Sequence, residues 1–106
     1  MQLYTAYDEG RLTIYLQGEL DNHGARQVGR NVDKLLDEYM PRDCALDLSA
    51  LSFMDSSGIA LILKVYRRMQ DMGGRAWIEN ARSQPLKVID ASGIERLIKI
   101  RTAKEV

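Results

Sequence analysis

Leu51-Ser52-Phe53-Met54-Asp55-Ser56-Ser57-Gly58 decides the fold of this chain, because it reads as the passage from a central strand into a long helix. On its upstream side, Cys44 to Leu48 is an apolar run that reads as a buried strand. On its downstream side a helix is predicted from about Gly58 to Met72. Steps of about 100° per residue confine Lys64, Arg67, Arg68 and Asp71 to one narrow stripe of it. The remaining apolar arc of roughly 200° is wider than the stripe of about 100° that a surface helix needs. Such an arc means either contact with both a sheet and a neighbouring helix, or an edge near Leu61 and Val65 turned toward a partner.

Working outward, an amphipathic helix precedes the central strand. From Ala25 onward, Val28, Val32, Leu35, Leu36 and Tyr39 recur at helical spacing, while Arg26, Arg30, Asp33, Lys34 and Asp37 take the other face. The helix begins after Asp21 or Asn22, both good caps, and stops before Pro41. Earlier still, Leu12, Ile14 and Leu16 alternate with Thr13, Tyr15 and Gln17, the period of a strand with one buried face. Leu3 to Tyr7 is a second β-rich run, and Asp8-Glu9-Gly10 supplies the turn of a hairpin.

After the long helix, Gly73-Gly74 is a stop and Arg75 to Glu79 a further strand. Ser83 is placed to cap a short helix with Pro85 in its first turn, Leu86 and Ile89 on its apolar side and Gly93 at its end. Leu97 to Ile100 then returns to strand. The order ββαβαβαβ predicts a single α/β domain over residues 1–106. Its sheet is mixed but mostly parallel, with an N-terminal hairpin and three or four helices.

Composition agrees. A chain of 106 residues with 45% hydrophobic and 28% charged side chains is an ordinary globular domain, too short for two cores. Its formal charge is zero, so no overall field draws it to nucleic acid or to an anionic membrane. Up to Asp55 there are 10 acidic and 5 basic residues, and beyond it 5 acidic and 10 basic. That asymmetry either marks a protein partner or is mixed away by strands of the two halves interleaving in one sheet. The single cysteine, Cys44, allows no internal disulfide and sits in an apolar run. The first ten residues lack the order of a signal peptide, and the longest aliphatic run, Ile59 to Leu63, stops at Lys64. A soluble cytoplasmic protein is expected.

The chemistry lies in the serine pair at the start of the long helix. Open α/β sheets bind ligands at such strand-to-helix passages. Asp55, Ser56 and Ser57 are also simply good caps. The positions three beyond them, Gly58, Ile59 and Ala60, offer no Glu or Gln for a capping box, and the segment has little bulk. A kinase or another protein can approach, and a phosphate there would meet helix amides and the positive end of the dipole. Spacing alone leaves regulation and capping both open.

The sequence resembles the STAS domains, and within them the bacterial anti-sigma factor antagonists. Three segments carry the likeness, in family order and spacing over nearly the whole chain: Gly18-Glu19-Leu20-Asp21, Leu51 to Gly58, and Asp90-Ala91-Ser92-Gly93-Ile94. The likeness is greatest to the sporulation antagonists of the anti-sigma-F factor, and stress-response antagonists share much of the pattern. Where the family more often has glycine, position 60 holds alanine. The resemblance implies a STAS-like fold and a protein that, unphosphorylated, binds an anti-sigma factor that is also a serine kinase and thereby releases the sigma factor. The kinase then phosphorylates it and lets go, and a phosphatase resets it. By the same resemblance Ser56 is the phosphoacceptor, and Asp21, Asp55, Ser57 and Gly58 flank the kinase interface. No cofactor, metal, nucleic acid or membrane is implied.

Rival readings are weaker. Asp21, His23 and Ser56 or Ser57 suggest a hydrolase triad, but the segment lacks the Gly-x-Ser-x-Gly of a nucleophile elbow. One His and one Cys make no metal cluster. A nucleotide-binding module would use the helix start, yet no Gly-x-x-x-x-Gly-Lys is present. A STAS accessory module of a membrane transporter would need a separate membrane partner.

Overall fold

The alternation of Leu12, Ile14 and Leu16 with Thr13 and Tyr15 builds β2 (Arg11–Leu20), whose first set is wholly buried. In the computed structural model, which describes residues 1–101, β2 pairs antiparallel with β1 (Gln2–Asp8). Asp8 faces Arg11 across a two-residue loop in which Glu9 and Gly10 both have positive φ, 48° and 86°. That is the turn whose twist matches paired strands, and Gly10 takes its second position without steric cost.

From β2 the chain climbs through α1 (Asn22–Tyr39) to β3 (Asp43–Met54), then α2 (Ser56–Asp71), β4 (Arg75–Glu79), α3 (Ser83–Ser92), a 3-10 turn at Ile94–Arg96 and β5 (Lys99–Arg101). β2, β3, β4 and β5 pair in parallel, and the strand order in the sheet is the order in the chain. Each crossover steps the same way. Right-handed connections then set all three helices on one face of the sheet. One core follows, joining Leu12, Ile14, Leu46, Leu48 and Ile78 of the sheet with Val28, Val32 and Leu36 of α1, Ile62 and Met69 of α2, and Ile89 of α3. On the opposite face Trp77 is covered by the guanidinium groups of Arg11 and Arg101, 4.9 and 4.3 Å from its ring centroid.

The mixed, mostly parallel sheet with its hairpin and three helices is the α/β architecture expected, and several details correct the sequence reading. The apolar arc of α2 is mostly spent inside the protein: Val65 is 1% exposed and Leu61 6%, so Val65 forms no edge for a partner and Leu61 keeps only the side that lines the gap between α1 and α2. Part of the polar stripe is paired. Lys64 Nζ donates to Asp33 at 2.8 Å, and Arg68 donates to Asp33 and Asp37 at 3.1 and 2.6 Å. Lys64 first, then Arg68, hold the Asp33 carboxyl below its usual pKa. Ser83 does not cap α3 with its side chain: it is the first residue of the helix, at φ 57°, with Arg82 before it. β5 begins later than expected, because Ile94–Arg96 turns and Leu97 stays exposed.

The two halves of the chain do not interleave. With strands in chain order, the acidic half supplies one side of the sheet and the basic half the other. Where they meet, the α1 carboxylates pair with the α2 cations. Cys44 is fully buried and burial alone pushes its thiol up to about 12, so it is a packing residue.

Candidate functional site

β3 runs twelve residues, well past the apolar stretch that announces it. Its pairing with β2 slips twice: Tyr15 faces Asp47 but Gln17 faces Ala50, and Gly18 faces Leu51 but Glu19 faces Phe53. Each slip gives β3 one extra residue, a bulge of the kind often found beside functional sites. The Ser52 hydroxyl stabilises the second bulge by donating to the Gly18 carbonyl at 3.0 Å. Carried by the bulges, Leu51 to Met54 continues as strand, so what the sequence suggests is a loop contains only one residue outside regular structure, Asp55. The same holds one strand over, where Gly18 to Leu20 belongs to β2 and only Asp21 separates it from α1.

These two aspartates therefore stand side by side at the ends of paired strands, since Leu20 faces Met54 and the Asp55 N–H donates to the Leu20 carbonyl at 3.4 Å. Each caps its own helix. Asp21 Oδ1 accepts from the Gly24 N–H, and Asp55 Oδ1 accepts from the Ser57 N–H, both at 2.8 Å. The capping reading of Asp55 is thus correct for that residue, and no capping box is needed. It leaves the serines unused as caps: Ser56, the first residue of α2, is exposed, and Ser57 half-buried. The N-termini of α1 and α2, with their positive dipole ends, therefore start from neighbouring strand ends.

Two further residues fix where Ser56 stands. Gly58 is buried, and a Cβ on it would lie 2.3 Å from Met54 Cγ and 2.6 Å from Sδ, so only glycine lets α2 start against the end of β3. Its contribution is this close approach. Gln84, at the start of α3, clamps Met54 from the other side. Its Oε1 accepts from the Met54 N–H at 2.8 Å and its Nε2 donates to the Met54 carbonyl at 2.9 Å. β4 has already ended at Glu79, so this amide takes the place of a strand partner. The sequence contains no local sign of that, because the two residues lie 30 apart. Phe53, 37% exposed, adds an aromatic surface at the end of β3 that the sequence reading did not single out. Its place next to the quoted aspartate and serines was the available signal.

Replacing Gln84 with Ala is expected to lower stability by about 1–3 kcal/mol, the cost of leaving a half-buried backbone donor and acceptor without partners. Amide exchange at Met54 should accelerate more than at Leu46. Equal acceleration at both would show a global effect and not a local clamp.

Among the described residues, no group of three or more His, Cys, Asp or Glu side chains is arranged to hold a metal ion. His23 is exposed in the first turn of α1. Among the described residues, no helix is long and apolar enough to cross a membrane.

Comparison with known proteins agrees with this geometry. The family model described as STAS domain matches residues 4–105. An anti-sigma F factor antagonist of Paenibacillus polymyxa is 29% identical over 100 residues, covering 94% of this chain and 86% of that protein. Among solved structures, the unphosphorylated anti-sigma factor antagonist SpoIIAA superposes with a TM-score of 0.81 at 27% identity, covering 98% of this chain and 91% of the other. The phosphorylated form of SpoIIAA from Bacillus gives a TM-score of 0.72 at 27% identity, with 98% and 95% covered.

Proposed function

The chain belongs to the STAS-domain family, among the anti-sigma factor antagonists, and from that premise we propose that it is a phosphorylation-controlled antagonist whose switch is Ser56. Unphosphorylated, it binds an anti-sigma factor that is also a serine kinase, so that the sigma factor is released. Phosphorylated on Ser56, it lets the kinase go, until a phosphatase restores it.

The observation that carries this reading is the division of tasks at the start of α2. Asp55 does the capping, Gly58 brings the helix in close, and Ser56 is left exposed at the first helical position. That the similar solved structures include a form described as phosphorylated supports it further. Asp21, at the neighbouring helix start, and half-buried Ser57 complete the surface that meets the kinase.

Charge explains the switch. A phosphate adds roughly −1.5 to −2 units next to Asp55, on a surface that the partner must desolvate. The same group lies at a helix N-terminus, where negative charge is favoured, so it opposes docking without melting the helix. The chain performs no catalysis in this scheme; it is the substrate.

Incubation with an anti-sigma kinase and ATP, followed by mass-spectrometric mapping, tests the reading. One phosphate is expected, on Ser56, and absent from Ser56→Ala. Full incorporation into that variant, or modification confined to Ser57, would overturn the assignment.

A further inference from the structure

Beside the serines, the first halves of α1 and α2 leave a groove of about 400 Å³ between them. Ala25 and Gly29 of α1 and Ala60 and Leu61 of α2 form its apolar floor, and Ser57 stands at one end. Gly29 is the informative residue. Glycine inside a helix is destabilising relative to alanine, and a helix usually keeps one where a neighbour leaves no room for a Cβ. Here there is room. A Cβ at Gly29 would meet nothing nearer than Leu61 Cδ1 at 3.6 Å, an ordinary contact, and the helix at this point has no left-handed backbone. Packing within the protein does not require the glycine. A methyl group there would instead reduce the groove.

The rim has one sign of charge. Arg26 and Arg30 of α1 and Lys64 of α2 line it, and no carboxylate does. Lys64 is held by Asp33, whereas Arg26 and Arg30 are exposed and make no ion pair among the described residues. Elsewhere along the seam between the two helices the arrangement differs, because Asp33 and Asp37 of α1 neutralise the cations of α2. In the groove that Ser57 lines, the two arginines are left without partners. An apolar floor with uncompensated arginines above it fits an acidic segment that inserts a small aliphatic side chain.

We propose that this groove is a docking site for an acidic segment of the kinase partner, held by Arg26 and Arg30 and admitted by the missing side chain of Gly29. The proposal rests on the kinase-binding reading and adds to it a place and a chemistry. It also supplies a reason for release. A phosphate on Ser56, adjacent to the groove-lining Ser57, repels the carboxylates that the arginines attract.

The test uses the full chain and an anti-sigma kinase, measuring Kd, the salt dependence of Kd and Tm. For Arg26→Glu combined with Arg30→Glu, a loss of about tenfold or more in affinity is expected, with a flatter salt dependence and a Tm near that of the wild type, since both residues are exposed. Gly29→Ala is expected to raise Tm by roughly 4–8 °C while weakening binding about threefold or more. A protein that gains stability and loses affinity together identifies the glycine as kept for binding. If the wild type is bound and phosphorylated but the charge-reversed variant binds within about twofold of it, the groove is not the docking site and the kinase reading stands. If Gly29→Ala lowers Tm, the glycine serves packing, which overturns its assigned role. A wild type that is neither bound nor phosphorylated by the kinase overturns the kinase reading and the groove's occupant with it.

Discussion

Phosphorylation of Ser56 is expected to weaken binding to the anti-sigma kinase by about two orders of magnitude, or roughly 2.7 kcal/mol, with no loss of helical circular dichroism. The size follows from setting a dianion beside the Asp55 carboxylate in a surface that must be desolvated, where like charges cost several kcal/mol. Preservation of the fold follows from the position of Ser56 at the first residue of α2. The phosphate there faces the positive end of the helix dipole, a contribution of about 0.3–1 kcal/mol in favour of the folded state. Titration calorimetry on separated phosphorylated and unphosphorylated protein measures the first quantity, and far-ultraviolet circular dichroism the second. Equal affinity of the two forms would remove the switch, and a large drop in helix signal would replace an interface mechanism with an unfolding one.

The second large effect concerns Gly58. Gly58→Val should destabilise the protein by about 3 kcal/mol, at the upper end of the usual overpacking cost, and lower Tm on the order of 15 °C. A Cβ would lie well inside van der Waals contact distance of Met54 Cγ and Sδ, and Leu20 Cδ2 would be 3.1 Å away. Met54 cannot easily retreat: its side chain is fully buried and its backbone is held on both polar groups by Gln84. Combining Gly58→Val with Met54→Ala separates this cause from a simple loss of backbone freedom. The double variant should lose less than the two single losses added together, because the colliding atoms are gone. Strict additivity would show that Met54 is not what Gly58 avoids.

Periodicity made most of the fold legible. The two-residue repeat around Leu12, Ile14 and Leu16, the helical repeat through Val28, Val32 and Leu36, and the stops at Pro41, Gly73 and Gly93 each reflect one local physical demand. Harder to read was the second half of β3. Ser49, Ala50 and Ser52 break the apolar alternation, and their place in a strand comes from bulges shaped against β2. Asp47 also contributes, accepting from the Ser49 N–H at 2.9 Å and from the Asn80 amide at 2.9 Å. The bulges and the Asn80 bond are long-range pairings, which leave no pattern in a short window.

The candidate site was legible in its residue types but not in its division of roles. Asp21, Asp55, Ser56 and Ser57 stand at neighbouring helix starts because β2 and β3 are adjacent. That Asp55 is the cap, that Gly58 is there to admit Met54, and that Gln84 completes the support depend on distances between elements. The wide apolar arc of α2 had two readings because a helix cannot indicate which neighbours will cover it. Val65 is closed into the core, whereas Leu61 also lines the space left open between α1 and α2.

The order of strands also bears on how the protein is made. Each strand pairs with the one synthesised just before it, so a chain leaving the ribosome adds to a growing sheet at one edge and never has to insert a late strand between earlier ones. The support for the serines arrives out of that sequence. Met54 and Ser56 emerge well before Gln84, which follows Met54 by 30 residues. Until α3 appears, the end of β3 lacks its clamp, so the segment leading into Ser56 becomes well ordered only when α3 has docked.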